Sequence, residues 1–235
     1  MKVVVMFSGG KDSTYAVEYC KARGWDIAYL LSVKPTRTDC YLFHYATVEH
    51  TPMQAEAMGL KHVLVSCDVA DPVKEGEIVR DIIIKNEKVD AVVLGGTGLQ
   101  ETQLRTIQKL LLPFGIEVFA AHAGQDHEEA FRDMIARGYE IMITQVASDG
   151  LLPWLGRKVT TDNFDQLRKD SVKYGFHIGF EGGFADTFVL SAPVFRGNRI
   201  GIDDYEKIVE DLYCGHVMFK NTRMVQLQAP YTSEL

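Results

Sequence analysis

The chain has 235 residues, 46% hydrophobic and 24% charged, enough apolar material for a sizeable core in one large domain or one domain with an appendage. Lysine and arginine number 25 against 32 aspartates and glutamates, and the net charge of -7 argues against sequence-independent binding along nucleic acid. No apolar run reaches the ~20 residues that span a bilayer, and the four cysteines, Cys20, Cys40, Cys67 and Cys214, form no C-x-x-C pair, so neither a zinc site nor a disulfide framework is indicated.

The opening MKVVVMFSGGKDS reads as a first strand over 3–7, too short in its apolar run for a signal peptide, which makes a cytoplasmic protein the expectation. Residues 13–23 carry Tyr15, Ala16, Tyr19 and Cys20 at helical spacing, with Gly24 as a stop. A continuous apolar strand follows over 27–33, then a loop over 35–45, a helix over 48–58 ending at Gly59, and a strand over 62–66. Pro72 opens an amphipathic helix to about 85, and strands over 91–94 and 116–119 flank the run Gly95 to Gly98 and a helix over 100–112. Five strand-helix alternations predict a parallel three-layer α/β unit over 1–122.

From about Ala121 the rhythm changes, and residues 123–235 read as a smaller α+β domain. The pattern gives a helix over 127–137, a strand over 141–146, the loop SDGLLPWLG, and a helix to Tyr174 capped by Thr161 or Asp162. The glycine-dense EGGFADTFVLSAP then leads into a strand over 188–190 and a last set of short strands. Trp154 reads first as an anchor of the small domain's core and second as a wall of a substrate mouth.

The stretch richest in chemistry is Ser8, Gly9, Gly10, Lys11, Asp12 and Ser13, between the first strand and the first helix. Bare backbone N–H groups at such a turn, the positive end of a helix and the full charge of Lys11 make a phosphate site. Asp12 beside a phosphate calls for a cation, so Asp12 is assigned to Mg²⁺ or, alternatively, to capping the helix. Ligands of doubly wound sheets lie at the carboxyl ends of strands, which puts an adenine near Leu31 and Ser32. A second constellation, Glu181-Gly182-Gly183 with Asp186-Thr187, places two carboxylates around a glycine turn. His44, His50, His122 and His127 fall in or near loops and are candidate bases.

SGGKDS is neither G-x-x-x-x-G-K-[ST] nor G-x-G-x-x-G. It resembles the PP-loop of the ATP pyrophosphatases, which split ATP between the α and β phosphates; the resemblance implies a Rossmann-like, HUP-type sheet. Together with CYLFH at Cys40 to His44, SDGLLPWLGR at Ser148 to Arg157, and EGG-x-x-D-T with VLSAP at Glu181 to Pro193, it resembles the diphthine-ammonia ligase family across nearly the whole chain. The compact length looks like that of the archaeal members.

The resemblance implies ATP-dependent amidation of the diphthine carboxylate on translation elongation factor 2. Ammonium is the nitrogen source, an acyl-adenylate the intermediate, and AMP and pyrophosphate the products. Ser8 to Ser13 and Gly95 match the nucleotide site, and Lys11, Asp12, Glu181 and Asp186 the catalytic set. Where the family reads EGGEFET, this chain has Phe184 for an acid, Ala185 for an aromatic residue and Asp186 for the final Glu. Arg105 also aligns, but Glu101 and Thr102 replace the family's Tyr and Gln. No cysteine sits at the N-terminus or in an elbow as a glutamine amidotransfer would need, which favours free ammonium. The other readings are a nucleotide-binding regulator with an eroded amidation motif, and another PP-loop ligase or tRNA-modifying enzyme. The sequence leaves the oligomeric state open, a homodimer included.

Overall fold

The computed structural model describes residues 1–37, 46–96 and 101–227, of residues 101–103 the backbone only. Its first sheet is parallel and five-stranded in the order β3-β2-β1-β4-β5. The strands are β1 (Lys2–Met6), β2 (Asp26–Pro35), β3 (His62–Cys67), β4 (Ala91–Leu94) and β5 (Glu117–Ala120), joined through α1 (Lys11–Ala22), α2 (Thr51–Met58), α3 (Pro72–Lys85) and α4 (Glu101–Leu111). Strand side chains alternate between faces, and both faces of β1 are apolar because both are covered. Val3 and Val5 pack with Ala16, Val17 and Cys20 of α1, whereas Val4 and Met6 pack with Val79 and Ile83 of α3 and Ile107 and Leu111 of α4. The strand order reverses at β1, so its carboxyl end opens at the crevice where ligands of such sheets bind.

The second sheet is antiparallel. Its central strand β6 (Glu140–Ala147) pairs with β7 (Lys158–Val159), β8 (Ala185–Ser191) and β10 (Cys214–Gln226), and β10 pairs with β9 (Asn198–Val209). Helices α5 (His127–Ala136) and α6 (Thr161–Tyr174) pack with this sheet, Phe131 meeting Phe164 edge to face at 5.3 Å between ring centroids. The two sheets share one core: the cluster that holds Val3, Val5 and Phe7 also holds Phe131, Ile141, Phe188 and Val189.

Four local expectations are corrected. The cap of α6 is Thr160, in a capping box with Asn163, because a Thr one residue earlier places its hydroxyl on the orphan amides. The last strands are not short: β9 and β10 have 12 and 13 residues and make one long hairpin. Asp186 and Thr187 belong to β8 itself, Asp186 opposite Gln145. Finally α1 opens at Lys11, two residues before the expected start, since Gly10 in extended conformation already serves as its cap. Trp154 is buried in the core that the two sheets share and donates its Nε1–H to Asp170 Oδ2 at 2.9 Å. Cys20, Cys67 and Cys214 are free thiols, and burial pushes that of Cys20 up to about 12. Among the described residues no helix is long and apolar enough to cross a membrane.

Candidate active site

The end of β1 is fixed before the loop begins. Phe7 N donates to Leu31 O at 2.8 Å, and the Ser32 hydroxyl donates to Phe7 O at 2.5 Å. His62 Nε2 lies 2.8 Å from Ser32 Oγ and 3.2 Å from Thr51 Oγ1. Both hydroxyl protons are spent on carbonyls, that of Thr51 on Val48 O at 2.7 Å, so Nε2 carries the proton and donates to both oxygens. Burial holds the imidazole down at about 4. Leu31 and Ser32 thus have polar groups committed to supporting the loop.

Beyond Phe7, the turn from Ser8 to Gly10 delivers the chain into α1, whose first intrahelical bond is Thr14 N to Gly10 O at 3.0 Å. No side chain caps this helix, which corrects the capping alternative for Asp12. Asp12 lies in the first turn, where a negative charge suits the dipole. The Ser13 hydroxyl donates back to Gly10 O at 3.1 Å and accepts from Ser8 Oγ at 3.3 Å.

The second sheet completes the loop. Val189 N donates to Gly9 O at 2.9 Å, and buried Gln54 of α2 donates through Nε2 to Gly9 O at 2.9 Å and to Val189 O at 2.7 Å. Thr187 Oγ1 accepts from Lys11 N at 3.1 Å. Gly9 has φ +83°, and a Cβ there would stand 2.5 Å from Gln54 Oε1 and 3.3 Å from the Phe188 ring. Gly95 closes the other flank, a Cβ on it standing 2.5 Å from Asp12 C and Ser13 N.

Loop and acidic turn face each other across an open cleft, with Ser8, Gly10, Lys11 and Asp12 on one wall and Phe180, Glu181, Asp186 and Thr187 on the other. Glu181 is buried, its Oε1 3.9 Å from His127 Nδ1. Phe180, just before it, holds φ +64°, a conformation costly for an aromatic residue that places strain at the cleft wall. Lys11 is 3% exposed and turned toward the second unit, Nζ donating to Asp12 Oδ2 at 2.6 Å and to Gly179 O at 2.7 Å.

His122 stacks on Tyr15 at 4.1 Å between centroids. Its Nδ1 donates to Gln125 Oε1 at 2.8 Å, because the Gln125 amide N–H is turned to Tyr15 Oη, and its Nε2 lies 3.4 Å from Asp12 Oδ1. Burial draws His122 below its ordinary value and the Asp12 carboxylate works against that. His127 and His177, edge to face at 4.6 Å, are likewise lowered, chiefly by burial.

Of the residues singled out in sequence, Ser8, Gly10, Lys11, Asp12, Glu181 and Asp186 come together at the cleft. Gly9, Ser13 and Gly95 shape the loop, and Leu31 and Ser32 stand behind it. His50 is packed near Phe188 and Phe219, at 6.4 and 5.2 Å between ring centroids. The segment Cys40 to His44 and Gly98 lie outside the described residues, as do the side chains of Glu101 and Thr102. Sequence reasoning missed Gln54, Gly179, Phe180 and His177; the only signal for any of them was position next to the EGG turn. Among the described residues no three His, Cys, Asp or Glu side chains form a metal site. One partly exposed carboxylate, Asp12, fits a magnesium ion that arrives with a triphosphate and takes most of its ligands from it.

Comparison with known proteins agrees with this geometry. The family model described as diphthamide synthase N-terminal domain matches residues 1–118, and that described as diphthamide synthase C-terminal domain matches residues 126–225. The human diphthine–ammonia ligase is 28% identical, the alignment covering 89% of this chain and 85% of that protein; the Danio rerio one is 30% identical, covering 89% of each. A solved structure, the predicted subunit of tRNA methyltransferase from Methanocaldococcus jannaschii, covers 82% of this chain and 97% of its own at 13% identity and a TM-score of 0.42, too distant to bear on function. With matches running through both halves, the chain belongs to the diphthine–ammonia ligase family, a family of ligases.

Proposed function

We propose that the protein amidates the diphthine carboxylate of translation elongation factor 2 with ammonium, at the expense of ATP, through an acyl-adenylate. The observation that carries this reading is the shared cleft: the loop residues Ser8, Gly10, Lys11 and Asp12 lie opposite Glu181 and Asp186, so a triphosphate held by the loop would meet an acceptor side chain held by the turn. A carboxylate is a poor acyl donor because its leaving group would be oxide. Attack of the carboxylate oxygen on the α-phosphorus forms the acyl–O–P bond and breaks the bond to pyrophosphate, whose charge is met by the loop amides and Lys11. Ammonium then gives up a proton, its nitrogen attacks the acyl carbon, the C–O bond to AMP breaks, and a second proton leaves as the amide forms.

Asp12 would hold magnesium together with phosphate oxygens, and the ion would supply neutralisation of the departing pyrophosphate. Glu181 and Asp186 face the acceptor side, where buried Glu181 orients the substrate and the shorter Asp186 leaves room beside the turn. Replacement of the family's second acid by Phe184 removes one charge from this turn and leaves both cleft-lining carboxylates in place.

The test is incubation with ATP, ammonium and diphthine-bearing elongation factor 2. AMP and pyrophosphate should form only when all three are present, and Lys11→Ala should lower the rate by at least about 100-fold. ADP and orthophosphate as the sole products would refute the reading, as would AMP formation that ignores ammonium.

A further inference from the structure

The ammonium group of Lys11 is turned into a pocket of the second unit. Its Nζ donates to Asp12 Oδ2 at 2.6 Å and to Gly179 O at 2.7 Å, and it lies 5.4 Å and 5.8 Å from the ring centroids of Phe131 and Phe180. A carboxylate, a carbonyl and two aromatic rings are a complete recognition set for a small ammonium ion: the oxygens take N–H donors, and the rings accept the remaining charge where water is excluded. Lys11 fills that set with a tethered –NH₃⁺. The strained backbone of Phe180, at φ +64°, holds one of the two rings in place, and the next residue, Glu181, already lines the cleft.

We infer that this pocket is the subsite for the ammonium co-substrate, occupied by Lys11 in the free protein and vacated when a bound triphosphate draws Lys11 to its own oxygens. The inference rests on the amidation reading above and adds to it a place for the nitrogen and an order of binding. Lys11 starts at the phosphate loop, so a triphosphate offers its Nζ several anionic oxygens in place of one carboxylate. The Asp12 carboxylate has lone pairs enough to keep one oxygen in the pocket and serve a phosphate-bound cation with the other. Ammonium then enters only after nucleotide, beside the cleft in which the acyl group is activated.

The test uses binding, so it does not depend on turnover. Thermal unfolding of Lys11→Ala is followed in ammonium, potassium and sodium chloride at equal ionic strength. The variant leaves the pocket empty, and ammonium at about ten times its dissociation constant should raise Tm by about 4 °C over sodium. Potassium, which has the charge but no N–H, should not, and the nucleotide-free wild type should show no difference among the salts. A variant indifferent to ammonium, or one equally stabilised by potassium, overturns the inference.

Should Lys11→Ala fail to fold, calorimetry on the wild type decides. A non-hydrolysable ATP analogue should bind about threefold more tightly in ammonium than in potassium, because two ligands that favour the same position of Lys11 reinforce each other. Equal affinities overturn the inference. No binding of the analogue in any salt would strike the nucleotide reading of the preceding section, and the inference falls with it, since nothing would then draw Lys11 from the pocket.

Discussion

Gln54 has no charge and no place in any motif, yet it ties three elements together, and its replacement by Met is the sharpest test of how the loop is held. The amide is fully buried, and Nε2 donates to Gly9 O and Val189 O. Met has nearly the same length and fills the same space, so the change removes hydrogen bonds without opening a cavity. Gly9 O keeps the Val189 amide as a donor and loses only one of two, a cost of about 1 kcal/mol. Val189 O loses the Gln54 donor inside the core, a further cost of about 2 kcal/mol. Among the described residues Gln54 Oε1 finds no hydrogen-bond partner, so its removal returns about 1 kcal/mol. The net loss of about 2 kcal/mol corresponds to a fall in Tm of about 4–8 °C for a chain of this size. Gly9 should also lose its fixed orientation, weakening a non-hydrolysable ATP analogue by about tenfold. Differential scanning calorimetry and titration calorimetry read the two effects separately. A Gln54→Met protein that melts at the wild-type temperature and binds the analogue as well as before refutes the claim that this amide holds the loop.

Gly95→Ala should disturb the same loop from the opposite side, since its Cβ meets helix backbone that cannot rotate away; a loss of about 1–3 kcal/mol and at least tenfold weaker analogue binding are expected, and unchanged binding would show that α1 yields freely. His62 should make stability depend on pH. Its folded value of about 4 lies below the ordinary 6.5, so the unfolded chain takes up the proton first, and stability is full above pH 6.5 and falls as pH drops from 6.5 to 4. Allowing for partial exposure, the loss is about 1–2 kcal/mol. Urea unfolding at pH 7.5, 5.5 and 4 should show a steeper fall in the wild type than in His62→Asn, the remainder belonging to His122, His127 and His177, which burial also lowers, and equal slopes in the two proteins would remove His62 as a cause.

The first sheet was readable because each of its strands is a short apolar run closed by a turn residue. In the inner strands β1, β2 and β4, burial on both faces leaves no room for polar alternation that would confuse strand with helix. The hairpin of β9 and β10 was read as short strands because Asp203, Asp204, Glu206 and Lys207 interrupt the apolar pattern. These residues lie where the hairpin is solvated, so β9 continues on backbone pairing with β10 and not on packing. Short β7 carried no signal at all, two residues being too few for a period. At the site, the charged and glycine residues were legible because their types are unusual for a strand-to-helix turn. Gln54 and Gly179 were not, because a buried amide side chain and a main-chain carbonyl have no compositional signature; their roles depend on which distant backbone reaches them.

The two glycines of the loop were assigned in sequence to the approach of phosphate, and the structure adds a second reason. A Cβ at Gly9 collides with Gln54 and crowds Phe188, and one at Gly10 comes within 3.0 Å of Thr187 O. Both neighbours on β8 follow directly from the acidic turn at Glu181 to Gly183. The loop is therefore small partly because β8 lies on it, with Lys11 N, Gly9 O and Lys11 Nζ all bonded to residues from Gly179 to Val189. Any ligand that shifts the loop must pull on that strand, and any substrate that shifts the strand must pull on the loop. On the function proposed above, a nucleotide at the loop and an acceptor at the turn are joined through three hydrogen bonds, which is the physical basis for expecting the two ligands to bind with mutual dependence.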